Sequence, residues 1–273
     1  MRVISSLFFT LALLYLFLVS PRIFGKPDKS QFFGVHYAHR GLFDNDTDAP
    51  ENSLNAIRKA VENGYGIEFD VQLSKDQIPV VFHDPTLKRM CGIEGNVWEY
   101  TLEELRQFKL KDSEETIPTL EEVLEVVGGQ VPLIIEYKLD VVSTKVCELA
   151  NEILTNYKGV YCIESFHPWA VKWYKEHRPD VLRGQLSEDY STNPGKYKGV
   201  HFWIMIHLLT NFLTRPDFIA YNHEHSYVFS RKVCSAMGAL PVAWTIRSQE
   251  AYENAKPQYK LFIFDSCIPV DKE

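Results

Sequence analysis

The sequence predicts an α/β chain that closes into a (β/α)8 TIM-type barrel, with an apolar membrane-anchoring helix ahead of it. Three observations lead there. From Phe33 onward, short apolar runs alternate with stretches of helical spacing. Charged and imidazole side chains gather at the carboxyl ends of several of those runs. Ahead of them, Ile4–Ser20 is apolar and carries no charge. A doubly wound open sheet is the alternative arrangement of the same elements.

Taken in order, Ile4–Ser20 is just under the roughly 20 residues that cross a bilayer, and Pro21-Arg22 ends it. Pro21, Arg22, Ile23 and Phe24 make a poor small-x-small cleavage site, so an uncleaved anchor (residues 1–21) is favoured over a signal peptide. Arg22, Lys26 and Lys29 outweigh Arg2 and the amino terminus, which places the rest of the chain on the cytoplasmic side. Residues 22–32 read as a polar linker and 33–273 as the barrel domain. The expected strands are Gly34–Ala38, Gly66–Val71 with Ile78–Phe82, Pro132–Tyr137, Val160–Glu164, Val181–Leu186, Asp217–Tyr221, Leu240–Ile246 and Leu261–Asp265.

Helices fill the intervals. Glu51–Asn63 sets Leu54, Ile57 and Val61 on one side, with Ser53 as its cap. Thr101–Phe108 and Thr119–Val127 each begin with a Thr-Leu-Glu-Glu capping box, and Gly128-Gly129 stops the second. Val141–Tyr157, Pro168–His177, Ser226–Met237 and Ser248–Asn254 complete the set. Gly199–Leu213 is rich in Phe, Trp, Ile, Leu and Met. The simpler reading is a helix buried in the core. The sharper one is an apolar lip beside the site that rests on a membrane or an acyl chain.

Composition narrows the function. A net charge of −7 argues against a nucleic-acid binder, which needs surplus Lys and Arg for phosphate contact. The five cysteines, Cys91, Cys147, Cys162, Cys234 and Cys267, are odd in number and form no C-x-x-C pair. They read as free thiols of a reducing compartment, neither a zinc site nor a disulfide framework.

The chemistry-bearing residues fall in four separated segments. Glu68 and Asp70, two apart on one strand, face the same side. Glu136 and Lys138 repeat that spacing; His39-Arg40 and His83 follow other strands. In a parallel barrel all of them reach one rim, at the carboxyl ends of the strands. Glu68, Asp70 and Glu136 offer hard oxygen ligands for Mg²⁺ or Ca²⁺ and repel one another without a cation. Arg40 and Lys138 can hold phosphoryl oxygens. His39 and His83 can act as base and acid. Each piece alone is commonly a solvated or ion-paired surface feature; their agreement makes the site. His223-Glu224-His225 reads as a solvated pair in a loop.

The same residues resemble a known family, the glycerophosphodiester phosphodiesterases. The resemblance rests on His39-Arg40-Gly41, Pro50-Glu51-Asn52-Ser53, Glu68-Phe69-Asp70-Val71, Lys75-Asp76, Val81-Phe82-His83-Asp84 and Glu136-Tyr137-Lys138, kept in order. Ala243-Trp244-Thr245-Ile246 and Ile263-Phe264-Asp265 are similar to its last two strands, although Arg247 stands where the family often has Asn. The resemblance implies a (β/α)8 barrel and a divalent cation, Mg²⁺ or Ca²⁺. It implies hydrolysis of a glycerol phosphodiester to glycerol 3-phosphate and an alcohol. It makes Glu68, Asp70 and Glu136 metal ligands, His39 and His83 the catalytic base and acid, and Arg40 and Lys138 phosphate contacts. Glu51 matches its motif, either at the metal or as a shaper of the loop. Two other functions stay open: phospholipase D-like action on intact or lysophospholipids, and a barrel that binds phosphodiesters without turning them over.

Overall fold

The computed structural model of the chain describes residues 2–139, 143–193, 195 and 197–271, with side chains from residue 6 onward. Eight parallel strands close a barrel: β1 (Tyr37–His39), β2 (Gly66–Leu73), β4 (Leu133–Tyr137), β5 (Tyr161–Ser165), β6 (Arg183–Ser187), β7 (Phe218–Asn222), β8 (Leu240–Ile246) and β9 (Leu261–Phe264). Closure comes from β1, which pairs with β2 on one side and β9 on the other. The expected alternation is therefore present. Among the described residues the one strand outside the ring is β3 (Pro79–Val81), antiparallel to β2. It leads an excursion whose own apolar cluster, with Val80, Phe82, Met90, Leu105 and Ile117, carries His83.

Helices α2 (Leu54–Glu62), α3 (Leu120–Val127), α4 (Lys145–Leu154), α5 (Pro168–His177), α6 (Val200–Ile206), α7 (Asn211–Thr214), α8 (Phe229–Ala236) and α9 (Gln249–Ala255) follow the strands. Ser53 caps α2 by accepting from the Ala56 N–H, and capping boxes at Thr101 and Thr119 form as their sequences direct. Gly128 ends α3 in the left-handed conformation (φ 54°). The start of the helix expected at Val141 lies outside the described residues; α4 runs from Lys145. The strands' outward apolar side chains, such as Ile67, Phe69 and Ile135, pack against the helices. Inward ones, such as Tyr37, Ile134, Cys162 and Ile263, fill the barrel.

Two expectations change at the periphery. Gly199–Leu213 is not one buried helix: it forms α6, a tight turn and the start of α7, and Val200 and Trp203 on α6 are exposed. The first helix, α1 (Arg2–Val19), is 18 residues long, and among the described residues no helix is long and apolar enough to cross a membrane. The transmembrane part of the N-terminal expectation finds no support there. One end of α1 is docked on the barrel instead. Tyr15 stacks on Phe229 at 6.3 Å between ring centroids, and the Asn211 amide donates to the Val19 carbonyl at 3.0 Å. Its outer face still exposes Leu7, Phe8, Phe9 and Leu11. Beyond α1, the Arg22 N–H donates to Pro216 O at 2.9 Å, and the Tyr37 hydroxyl donates to Phe32 O at 2.8 Å, so residues 22–32 run along the barrel.

Candidate active site

The four segments meet at the carboxyl end of the barrel. Register explains it: His39 pairs with Glu68, and Asp70 lies opposite Glu136, which in turn lies opposite Glu164. Parallel strands in step bring equivalent residues to one level. Glu68, Asp70 and Glu136 are buried, each offering a carboxylate oxygen within 4.8 Å of the others. Burial, and then the neighbouring Asp70, Glu136 and Glu164, push the Glu68 pKa well above the carboxylate range. Burial also raises Glu136. Asp70 is driven the other way: burial opposes its charge, but Lys138, His83, Arg40 and a hydrogen bond from Asn52 outweigh it.

Lys138 lies inside this cluster, with its Nζ 2.9 Å from Asp70 Oδ1 and 2.6 Å from Glu136 Oε1. Burial alone would lower its pKa, yet the Asp70 and Glu136 charges carry it above the ordinary value. It therefore stays an ammonium at neutral pH. Arg40 has φ +57°, and its Nη1 donates to Glu51 Oε1 at 2.6 Å while Nε lies 3.5 Å from Asp70 Oδ2. Glu51 is thus a loop shaper: it takes Arg40 and also Arg89, whose Nη2 and Nη1 donate to it at 2.7 and 2.8 Å. Gly41 next door is required, because at φ +83° a Cβ would meet the Ala56 carbonyl carbon at 2.8 Å.

Each histidine is oriented by an acid. His39 Nδ1 donates to Asp265 Oδ2 at 2.9 Å, since a carboxylate only accepts, and Nε2 is left 3.9 Å from Glu68 Oε2. Burial lowers the His39 pKa to about 4 against the upward pull of Asp265, so the ring is neutral near pH 7. His83 Nδ1 donates to Asp84 Oδ1 at 2.6 Å, and Arg89 Nε holds the other Asp84 oxygen at 2.6 Å. The Gln72 amide donates to the carbonyls of Phe82 and Asp84 at 2.7 and 2.9 Å, fixing the loop that bears His83.

All seven expected residues, His39, Arg40, Glu68, Asp70, His83, Glu136 and Lys138, are therefore gathered at one rim, and six of them, all but Asp70, line a cavity of 110 Å³. Sequence reasoning gave no role to Asp265, Asn52, Gln72, Asp84, Arg89 or Glu164. Asn52, Asp84 and Asp265 stand inside the motifs already quoted, and Gln72 is two residues past Asp70 on its strand face, so a signal existed for these four. Asp265 lies 226 residues from His39, and only barrel closure joins them.

The donor set fits a hard divalent ion. Three buried carboxylates meet with Glu164 close by, and among the described residues no Lys or Arg side chain forms an ion pair with Glu68, which takes only the Arg40 backbone N–H at 3.3 Å. The Lys138 ammonium and the Arg40 guanidinium offset only part of that charge. His223 and His225 do not join the rim: His223 Nε2 faces the Thr245 carbonyl at 3.2 Å, and His225 Nδ1 accepts from the Asp189 N–H at 3.0 Å.

A family profile described as "Glycerophosphoryl diester phosphodiesterase family" matches residues 39–256. The chain is 37% identical over 162 residues to a glycerophosphodiester phosphodiesterase of Caldanaerobacter subterraneus, covering 55% of this chain and 65% of that protein, just under two thirds of its length. It is 28% identical over 247 residues to glycerophosphodiester phosphodiesterase 1 of Homo sapiens, covering 77% and 71%. A phosphodiesterase of Oleispira antarctica, solved with the product sn-glycerol-3-phosphate, shares the fold at a TM-score of 0.70 and 24% identity, over 86% of this chain and 94% of that one. Motifs, closed barrel and profile agree over most of the chain, which belongs to the glycerophosphoryl diester phosphodiesterase family.

Proposed function

We propose that this protein hydrolyses a glycerophosphodiester to glycerol 3-phosphate and an alcohol, with Mg²⁺ or Ca²⁺ as its cofactor. The observation that carries the reading is the convergence of three buried carboxylates with two acid-oriented imidazoles on one rim. Glu68, Asp70 and Glu136 would hold the cation, which when bound draws charge from a phosphoryl oxygen. Arg40, which lines the rim cavity, and the Lys138 ammonium bind the other phosphoryl oxygens. His39 Nε2 takes a proton from the attacking oxygen, either water or the adjacent glycerol hydroxyl. As the new O–P bond forms and the bond to the alcohol breaks, His83 Nε2 gives a proton to the departing alkoxide. Hydroxyl attack passes through a cyclic phosphate, which water then opens. Purified protein with glycerophosphodiesters tests this. Turnover is lost in His39→Ala, in His83→Ala and in excess chelator. Undiminished turnover in any of the three removes the assigned role.

A second reading concerns the alcohol. A 530 Å³ cavity adjoins the rim, sharing His83, Glu136, Lys138 and Phe166 with it. Leu139, Pro168, Trp169, Ile204 and Met205 make it apolar, which suits an acyl chain and favours phospholipase D-like action on lysophospholipids. Comparing turnover of a deacylated diester with that of its lysophospholipid separates the two.

The first helix bears on the same point. Its apolar outer face, with Phe8 75% exposed, and the bases Arg22, Lys26 and Lys29 after it fit attachment to a lipid surface from the cytoplasmic side. Flotation with anionic vesicles is expected for the full chain and lost on deleting residues 1–20. Equal flotation of both forms would remove the helix from this role.

A further inference from the structure

α1 runs from the rim end of the barrel to the opposite end. Its last carbonyls are bound beside the start of β7: Arg215 Nη1 donates to Phe17 O at 3.2 Å and to Ser20 O at 3.0 Å, and the Arg22 N–H donates to Pro216 O at 2.9 Å. Strands begin at that end, away from the catalytic rim. Nearer its start, Tyr15 stacks on Phe229, the first residue of α8, and α8 follows the rim end of β7. The turns ahead of Tyr15 therefore lie at the rim, where Leu7, Phe8, Phe9 and Leu13 are exposed around the whole helix. No charged residue interrupts Ile4–Ser20. A helix apolar all round is stable only where protein or lipid covers it.

α6 continues the same surface. The Ser187 hydroxyl, at the rim end of β6, donates to Met205 O at 2.9 Å, and the Tyr221 hydroxyl donates to Ile206 O at 3.1 Å, which fixes α6 at the rim. Its side chains divide between two faces. His201, Ile204 and Met205 line the 530 Å³ cavity beside the catalytic residues. Val200 and Trp203 turn outward, 72% and 54% exposed. Trp203 and Phe229 meet Leu11 and Leu14 of α1 across an apolar groove of 460 Å³. Lys198, just ahead of Val200, and Tyr227, just ahead of Phe229, are exposed as well. Trp and Tyr beside a base, around an uncharged centre, match the layers of a lipid surface: rings at head-group level, the ammonium at the phosphates, aliphatic carbon beneath. Phe24, also exposed, lies at the far end, where Arg22 donates to Pro179 O at 2.8 Å and Lys26 to Gly238 O at 2.6 Å.

We propose that the catalytic rim itself docks on a lipid surface, with the first turns of α1 and the outer face of α6 set into the layer and the mouth of the large cavity opening onto it. α6 is then the threshold between lipid and site: an acyl chain leaving the layer passes from its outer face to Ile204 and Met205 without crossing water. That passage rests on the lysophospholipid reading above; the docking orientation does not. In this orientation Arg22, Lys26 and Lys29 mark the side of the membrane on which the barrel lies, and the apolar rim makes the contact.

The full chain is mixed with phosphatidylcholine–phosphatidylglycerol vesicles whose acyl chains carry a nitroxide quencher. Wild-type tryptophan fluorescence is quenched, and Trp203→Phe removes about half of that quenching or more, because an interfacial indole sits against the labelled chains. Quenching that Trp203→Phe leaves unaltered would overturn the orientation. So would quenching abolished by Phe24→Glu, which would put the opposite barrel end on the lipid. Val200→Glu reads the threshold. Turnover of lysophosphatidylcholine in vesicles is expected to fall about 10-fold or more, since a carboxylate replaces apolar area at the lipid contact. Turnover of soluble glycerophosphocholine and the melting temperature stay at wild-type values. Equal losses on both substrates would overturn the threshold. A wild type that dimerises and is not quenched, with Trp203→Glu monomeric, would give the patch to a second copy of the chain. Quenching at Trp203 with no turnover of either substrate would remove the activity and keep the docking. Quenching with turnover of the soluble diester alone would keep both and remove the passage.

Discussion

The Asp265 carboxylate decides what His39 can do. By accepting from Nδ1 it leaves Nε2 as the basic nitrogen that faces the cluster. Asp265→Asn is expected to lower kcat by about 100-fold, because an amide can present a donor to Nδ1 and select the wrong tautomer. The pH profile carries the sign. In the proposed mechanism His39 acts as a neutral base, so kcat/KM of the wild type is expected to fall below about pH 4, following the pKa that burial sets. Asp265 pulls that pKa upward, so its neutralisation moves the acid limb lower still. An unaltered kcat in Asp265→Asn would show that the dyad does no positioning. Glu51 makes a prediction of its own. Burial would raise its pKa, but Arg89 hydrogen bonds and the Arg40 charge hold it at about 2 against an ordinary 4.5. Its folded pKa is depressed, so the stability it contributes is complete above about 4.5 and is lost as pH falls through about 2. Glu51→Gln should cost about 1–3 kcal/mol at pH 7 and flatten the acid side of the stability curve, read by denaturant melts across that window.

Elements deliver these side chains through turns with little tolerance. The loop from β1 to α2 reverses at Arg40 and Gly41, both in the left-handed region, and again at Asn52 (φ +60°). It holds Arg40 against Glu51 and sends the Asn52 amide to Asp70 Oδ2 at 2.9 Å. Gly41→Ala forces a Cβ against the Ala56 carbonyl carbon. We expect a loss of about 2 kcal/mol or more, with turnover falling further than the residual folded fraction explains, as Arg40 shifts. A variant with wild-type melting and activity would show that the loop yields freely. The β3 excursion is the counterpart on the other side of the rim, where a separate apolar cluster and Gln72 fix the loop of His83.

The molecule as a whole concentrates carboxyl groups at one barrel end. Glu68, Asp70, Glu136 and Glu164 are buried there, with Lys138 as the ammonium among them. A cation that binds only the folded form stabilises it by mass action. Mg²⁺ or Ca²⁺ should therefore raise Tm with concentration, chelator should reverse the rise, and Asp70→Asn should blunt it. A Tm indifferent to either ion would argue against the triad as a metal site. Residue, loop and barrel act in series: a neutral imidazole is useful only where register has already brought the carboxylates level with it.

The sequence by itself determined the alternation of strand and helix, the capped starts of α2 and α3, and the seven polar residues at strand ends. Those signals are local: period, cap chemistry and two-residue spacing are written within a few positions. Tertiary structure alone decided what those residues touch. His39 meets Asp265 because β1 and β9 close the ring, and Glu164 reaches the rim because β5 lies in step with β4. The separate apolar cluster beneath His83 and the split of Gly199–Leu213 into α6 and α7 were likewise hidden, since both depend on which apolar surface the chain meets after folding. A short-range pattern specifies a face; which partner covers that face is settled by contacts between residues far apart in the chain.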